Sequence, residues 1–147
     1  MPDAAGPSCR QAEARLLTAL LGRSPQPVRW TDLAVAAGVD EPDARRMARS
    51  LADAGQPIAV DERGARVYAP LRLHAGLIEL GLDTERVGRD VIIFEAVDST
   101  NDVAFDAARA PGADGLVVLA EAQRAGRGRL GAAWASSPGA NVLMTAV

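Results

Sequence analysis

Thr31-Asp32-Leu33-Ala34-Val35-Ala36-Ala37-Gly38-Val39-Asp40-Glu41-Pro42-Asp43-Ala44-Arg45-Arg46-Met47-Ala48-Arg49-Ser50-Leu51 is the run that decides how the chain begins to fold. Thr31 reads as the N-cap of a short helix carrying Leu33, Ala34 and Ala37, and Gly38 suits the left-handed residue that stops it. Asp40 then caps a second helix with Pro42 in its first turn, where a missing N–H is not needed. In that helix Ala44, Met47, Ala48 and Leu51 share one face, and Arg45, Arg46 and Arg49 lie away from it. The short connection Gly38-Val39-Asp40 suits a helix-turn-helix.

Towards the N-terminus, Ala12 to Leu21 reads as a helix with leucines at three-and-four spacing, ended by Gly22 and Ser24-Pro25-Gln26-Pro27. Towards the C-terminus, Ile58-Ala59-Val60, Asp61-Glu62-Arg63-Gly64 and Ala65-Arg66-Val67-Tyr68 read as a hairpin with glycine in its turn. Three helices followed by a hairpin predict a winged helix-turn-helix over residues 8–70. Ala69-Pro70 marks a domain edge, and Leu71 to Leu82 predicts a connecting helix with Leu73, Leu77 and Leu80 on one side.

Residues 83–147 carry a different pattern. Val91 to Val97 and Leu116 to Ala120 predict buried strands, Asp102 to Ala110 a helix between them, and Asn141 to Val147 a further strand after the turn-forming Ser136-Ser137-Pro138-Gly139-Ala140. The fold class expected is α+β.

Composition narrows the function classes. The chain has 147 residues and the apolar fraction of a globular protein, and its sixteen basic residues are all arginine, so it has no lysine amine to offer a reaction. Cys9 is the sole cysteine, which excludes an internal disulfide and a zinc site of paired cysteines. The N-terminus lacks the features of a secretory signal, and no apolar run approaches the roughly twenty residues of a membrane span. The expectation is a cytoplasmic protein with no membrane partner. Split at Pro70, nine arginines face nine carboxylates before it and seven face ten after it. Any nucleic-acid binding must therefore come from a local patch.

The chemistry-bearing stretch is Gln123-Arg124-Ala125-Gly126-Arg127-Gly128-Arg129-Leu130-Gly131. Its glycines let backbone approach a ligand closely, and Arg127 and Arg129 add permanent cations, a combination suited to carboxylates and phosphates. Gly126, Gly128 and Gly131 match the dinucleotide fingerprint in form. The helix it needs breaks at Pro138 and no acidic residue follows at the required distance, so that reading fails, as does a nucleotide P-loop without its lysine. A surface loop carrying arginines for solubility is the plain alternative. Asp98-Ser99-Thr100-Asn101 ends one predicted strand and Gln123 follows the next, placing hydroxyls and amides on one rim; one of the former also suits a helix N-cap.

Val97-Asp98-Ser99-Thr100-Asn101, followed by Glu121 to Gly131, Trp134 and Ser137-Pro138-Gly139-Ala140-Asn141, resembles the biotin protein ligases. A winged helix-turn-helix ahead of these motifs is the layout of the bifunctional subclass, ligases that also repress biotin operons. The resemblance implies the first part of a class II synthetase-like α/β catalytic domain. It also implies adenylation of biotin by ATP, with Mg²⁺ accompanying the nucleotide, and transfer of biotin to a lysine of an acceptor carrier protein. By position, Ser99, Thr100, Asn101 and Gln123 would line the biotin site. Arg127, Gly128 and Arg129 would hold the carboxylate and adenylate phosphate, within a loop completed by Gly126 and Gly131. Trp134 reads either as an apolar wall beside the ligand or as a core tryptophan.

The family continues through a Lys-Trp-Pro-Asn-Asp-like segment and a small β-barrel, so this sequence is expected to be a fragment lacking the catalytic lysine and the usual dimer surface. Operator DNA is the implied partner of the first domain, with Arg45, Arg46 and Arg49 on the groove-facing helix and Arg63 and Arg66 on the wing. A solvated charged face is the alternative, since Glu41, Asp43 and Asp53 leave that helix without net charge. Two further readings compete with the ligase: a stand-alone DNA-binding regulator with a vestigial ligase portion, and a nonfunctional fragment exposing the edge of its last strand.

Overall fold

The computed structural model describes residues 8–82, 84–128, 132–135, 137 and 141–147. It is a mixed α/β chain that divides into two compact units, Met1–Leu80 and Gly81–Val147.

In the first unit α1 (Cys9–Arg23) starts earlier than its leucine pattern suggests, because the Ser8 hydroxyl accepts from the Gln11 N–H at 3.3 Å and caps it. Leu16, Leu17 and Leu20 are fully buried. A strand absent from the sequence reading follows, β1 (Val28–Arg29), and leads directly into α2 (Trp30–Ala37). Thr31 is therefore not the N-cap: it lies inside the first turn, and Arg29, at the cap position, gives no side-chain hydrogen bond. Tertiary anchoring sets this helix start instead, because the Trp30 ring is 2 % exposed and its Nε1 donates to the Asp61 carbonyl at 3.1 Å. Gly38 ends α2 at φ 73°, the left-handed conformation expected of it.

Asp40 caps α3 (Glu41–Asp53) by accepting from the Asp43 N–H at 2.8 Å, and Ala44, Ala48 and Leu51 face inward. The hairpin is β2 (Ile58–Val60) and β3 (Gly64–Val67), and β1 pairs with the far side of β3 to give the antiparallel order β1-β3-β2. Gly64 belongs to β3 and not to the turn, and its role is close approach. A Cβ there would lie 1.9 Å from the Val28 carbonyl oxygen, so only glycine lets β1 reach the register Val28 opposite Ala65. One contiguous core joins all three helices and all three strands.

The connecting helix is shorter than expected. Its stretch begins extended, because the buried Gln56 side chain clamps the Arg72 backbone, accepting from its N–H at 3.0 Å and donating to its carbonyl at 3.3 Å. Helix α4 (Ala75–Gly81) forms only beyond that clamp and leaves Leu73 exposed.

In the second unit β4 (Val91–Phe94) runs parallel to β5 (Val117–Ala120), with α5 (Thr100–Ala107) between them in sequence, and β6 (Leu143–Ala146) pairs antiparallel on the other side of β5. All four residues of the central β5 are buried, as a fully apolar run predicts. The flanking strands are only partly covered: Ile92 and Met144 are exposed, so the buried run expected over Val91 to Val97 holds in part. Among the described residues, two small clusters contribute to the core, Val97 with Ala120 and Leu143, and Ala104 with Leu116 and Val118.

Candidate functional site

The two chains leaving β4 and β5 stay paired past the strand ends. The Val97 N–H donates to the Ala122 carbonyl at 3.1 Å, and the Arg124 and Ala125 N–H groups donate back to the Val97 and Asp98 carbonyls at 2.9 and 3.0 Å. This continuation fixes Gln123 opposite Val97 and beside the start of α5.

Ser99 stands extended at the N-cap position of α5 without a side-chain cap bond. The capping is done from across the rim. Gln123 Oε1 accepts from the Thr100 N–H at 2.8 Å and from the Thr100 hydroxyl at 3.0 Å, satisfying one of the helix's orphan donors. Two donors on one atom require it to be the amide oxygen, so the Gln123 NH₂ is left as a donor with no partner among the described residues. Thr145 of β6 completes the network, its hydroxyl 2.9 Å from the Thr100 hydroxyl and 2.6 Å from Asn101 Oδ1, with its single proton serving one at a time.

Ser99 and Thr100 are 3 % and 4 % exposed, unusual burial for polar side chains. The Ser99 hydroxyl makes no hydrogen bond among the described residues. The expected residues Ser99, Thr100, Asn101 and Gln123 thus stand together. Thr145 was missed by the sequence reading; a hydroxyl inside a strand otherwise built of Leu143, Met144 and Ala146 was the available signal.

The glycine-arginine loop folds back on itself. The Trp134 N–H donates to the Gly126 carbonyl at 2.8 Å, the Gly128 N–H donates to the Ala132 carbonyl at 2.7 Å, and Arg127 lies opposite Ala133. Gly126 is required at this crossing: a Cβ would sit 2.8 Å from the Trp134 carbonyl oxygen and 3.2 Å from Gln123 Nε2. The same contact ties the loop to the rim. Arg127 donates to the Asp102 carboxylate of α5 and Arg124 pairs with Asp98 at 3.6 Å. Arg129 and Gly131 lie outside the described residues. Trp134 is 53 % exposed, which removes the core alternative for it.

In the first unit the outer side of α3 borders an open groove of about 620 Å³ lined by Pro42, Arg45, Arg46, Arg49, Ser50 and Asp53. Arg46 pairs with Asp43 one turn back, whereas Arg49 makes no ion pair among the described residues. Arg45 is engaged on three sides, by Glu41 Oε1 at 2.6 Å, the Glu62 carbonyl at 3.3 Å and the Trp30 ring, 4.8 Å from its guanidinium carbon. The side chains of Arg63 and Arg66 are exposed on the hairpin. No group of three or more histidine, cysteine or carboxylate side chains suited to a metal ion occurs among the described residues.

No family model matches the chain. Over 90 residues it is 34 % identical to the bifunctional ligase/repressor BirA of Bacillus subtilis, and over 90 residues 33 % identical to the protein of the same name from Bacillus spizizenii. Each alignment covers 60 % of this chain and 28 % of the relative, so the chain spans less than a third of the length of these relatives.

Proposed function

We propose, from the likeness to the two bifunctional ligase/repressor proteins, that the chain belongs to the biotin ligase/repressor family and pairs an operator-reading unit with the biotin-binding side of an adenylating ligase site. In this reading the first unit is a winged helix-turn-helix. Helix α3 enters the major groove with Arg46 and Arg49, and the β2–β3 wing brings Arg63 and Arg66 to the backbone. Two copies on two half-sites would supply the affinity that one lacks.

In the second unit Ser99, Thr100, Asn101 and Gln123 line the biotin site, and Arg127, Gly128 and Arg129 receive the carboxylate and the α-phosphate. A biotin carboxylate oxygen attacks the α-phosphorus of ATP, a P–O bond forms, and pyrophosphate leaves. A lysine amine of the acceptor carrier protein then attacks the biotinyl carbonyl carbon and AMP leaves with the bonding electron pair. Mg²⁺, if bound with the nucleotide, screens its phosphates. Cations and backbone donors fixed beforehand lower the cost of bringing two anions together.

The observation that carries this reading is the rim at the end of β4 and β5. Gln123 Oε1 is committed to Thr100, which leaves its NH₂ and the Ser99 hydroxyl without a hydrogen-bond partner among the described residues, beside the loop that bears Arg127. Pyrophosphate release from biotin and ATP tests it: release abolished by Arg127→Ala supports the ligase, and no release above a biotin-free control opposes it.

The second reading, a DNA-binding regulator with an inactive ligase portion, draws on the pairing of Arg127 with Asp102 and of Arg124 with Asp98, which neutralises both cations in place. Operator binding without pyrophosphate release would select it.

A further inference from the structure

The turn of the β2–β3 hairpin has an unusual property: each of its three leading carbonyls is taken by the helices. The Asp61 carbonyl accepts from Trp30 Nε1 at 3.1 Å, the Glu62 carbonyl from both Arg45 terminal nitrogens at 3.3 Å, and the Arg63 carbonyl from the Trp30 N–H at 3.4 Å. Inside the turn the Asp61 carboxylate accepts from the Arg63 and Gly64 N–H groups at 2.7 and 2.9 Å. A turn held on both sides in this way has little freedom to swing. Arg45 is the only one of these partners that comes from α3.

Arg45 is itself held. Its guanidinium lies over the Trp30 ring, and its Nε and one terminal nitrogen both donate to Glu41 Oε1, at 3.2 and 2.6 Å. A planar fork that stacks on an indole while donating to a carboxylate and a carbonyl is a task arginine performs and lysine does not.

We infer that Arg45 is a positioning residue, which fixes the β2–β3 turn against α3 and so sets the spacing between the wing cations Arg63 and Arg66 and the helix cations Arg46 and Arg49. This rests on the proposed DNA reading for its consequence, but not for its geometry. Arg45 then spends its donors inside the protein, and the phosphate contacts fall to its neighbours.

The test uses the full chain and two readouts, hydrogen exchange of the Trp30 indole N–H and affinity for an operator duplex. In Arg45→Lys, which keeps the charge, the indole proton is expected to exchange about tenfold faster, the factor carried by roughly one net hydrogen bond. Duplex affinity should fall by a similar factor. Arg15→Lys, at an exposed position of α1, should leave both near wild type. Trp30→Phe, which removes the Asp61 bond and also shrinks the buried ring under the Arg45 guanidinium, should weaken duplex binding while the thermal transition remains cooperative. If Arg45→Lys matches wild type in both readouts while Arg45→Ala loses affinity, Arg45 is a phosphate contact and the inference is wrong. If the wild-type chain binds no duplex, the DNA reading fails on its own, and unchanged indole exchange in Arg45→Lys still overturns the positioning role.

Discussion

The two units solve the problem of a small core in opposite ways. In the first, fifteen buried apolar residues form one cluster that draws on every helix and strand from Ala12 to Val67. In the second, the two clusters seen among the described residues hold three buried residues each, and much of the order near the candidate site comes from hydrogen bonds among Thr100, Gln123, Asn101 and Thr145. A fused apolar core resists local opening, whereas a polar network at a sheet edge can exchange its partners for a ligand's. The contrast suits the work proposed for each, a rigid reader and an adaptable pocket.

The largest expected effect breaks the comparison on the reader's side. Leu17→Ala, at a fully buried position, should cost about 2–5 kcal/mol in denaturant unfolding of the first unit. A cost below about 1 kcal/mol would mean that the cluster is not the continuous core described.

Next comes Gly126→Ala. Its Cβ would stand 2.8 Å from the Trp134 carbonyl, so the loop must separate from the 132–134 segment. Loss of protection at the Trp134 amide, with the first unit's melting unchanged, is the expected pattern.

Thr100→Val sharpens the polar side of the contrast. It removes one donor to Gln123 Oε1 and leaves the Thr145 hydroxyl with Asn101 Oδ1 alone of its two acceptors, and a destabilisation of about 1 kcal/mol is expected by chemical denaturation.

The smallest effect is a pH dependence at His74, which faces Glu13, Arg10 and Glu79. Burial holds its pKa below the ordinary 6.5, outweighing the upward pull of Glu13. Its Nδ1 also accepts from the Leu77 N–H at 3.3 Å, which demands an unprotonated nitrogen. The unfolded chain therefore binds the proton first. The contribution is fully present above pH 6.5 and is lost as pH falls through the lowered native value. Weakening amide protection at Leu77 on acidification, absent in His74→Gln, checks it.

Much of this was legible in sequence because it is local. The Asp40 cap, the Gly38 stop and the three-and-four spacing of Ala44, Ala48 and Leu51 act within a few residues of one another. So does the unbroken apolar run of β5. What escaped depends on distant partners. Strand β1 exists because Gly64 has no Cβ to block it, and α2 starts at Trp30 because the indole reaches Asp61. The early break at Leu71 to Leu73 comes from Gln56.

The candidate rim shows the same division. Ser99 to Asn101 and Gln123 could be placed together from the order of strands and loops. Thr145 and the pairing of Arg127 with Asp102 could not, since no spacing rule links them.

The central claim is that the rim and the glycine-arginine loop receive biotin. Titration of the isotope-labelled chain with biotin, followed through the Ser99 and Thr100 amides and the Gln123 side-chain NH₂, tests it most directly. The account predicts saturable shifts centred on those groups and weakened by Gln123→Ala. Absence of shifts at millimolar biotin, or shifts confined to residues of the first unit, would contradict it.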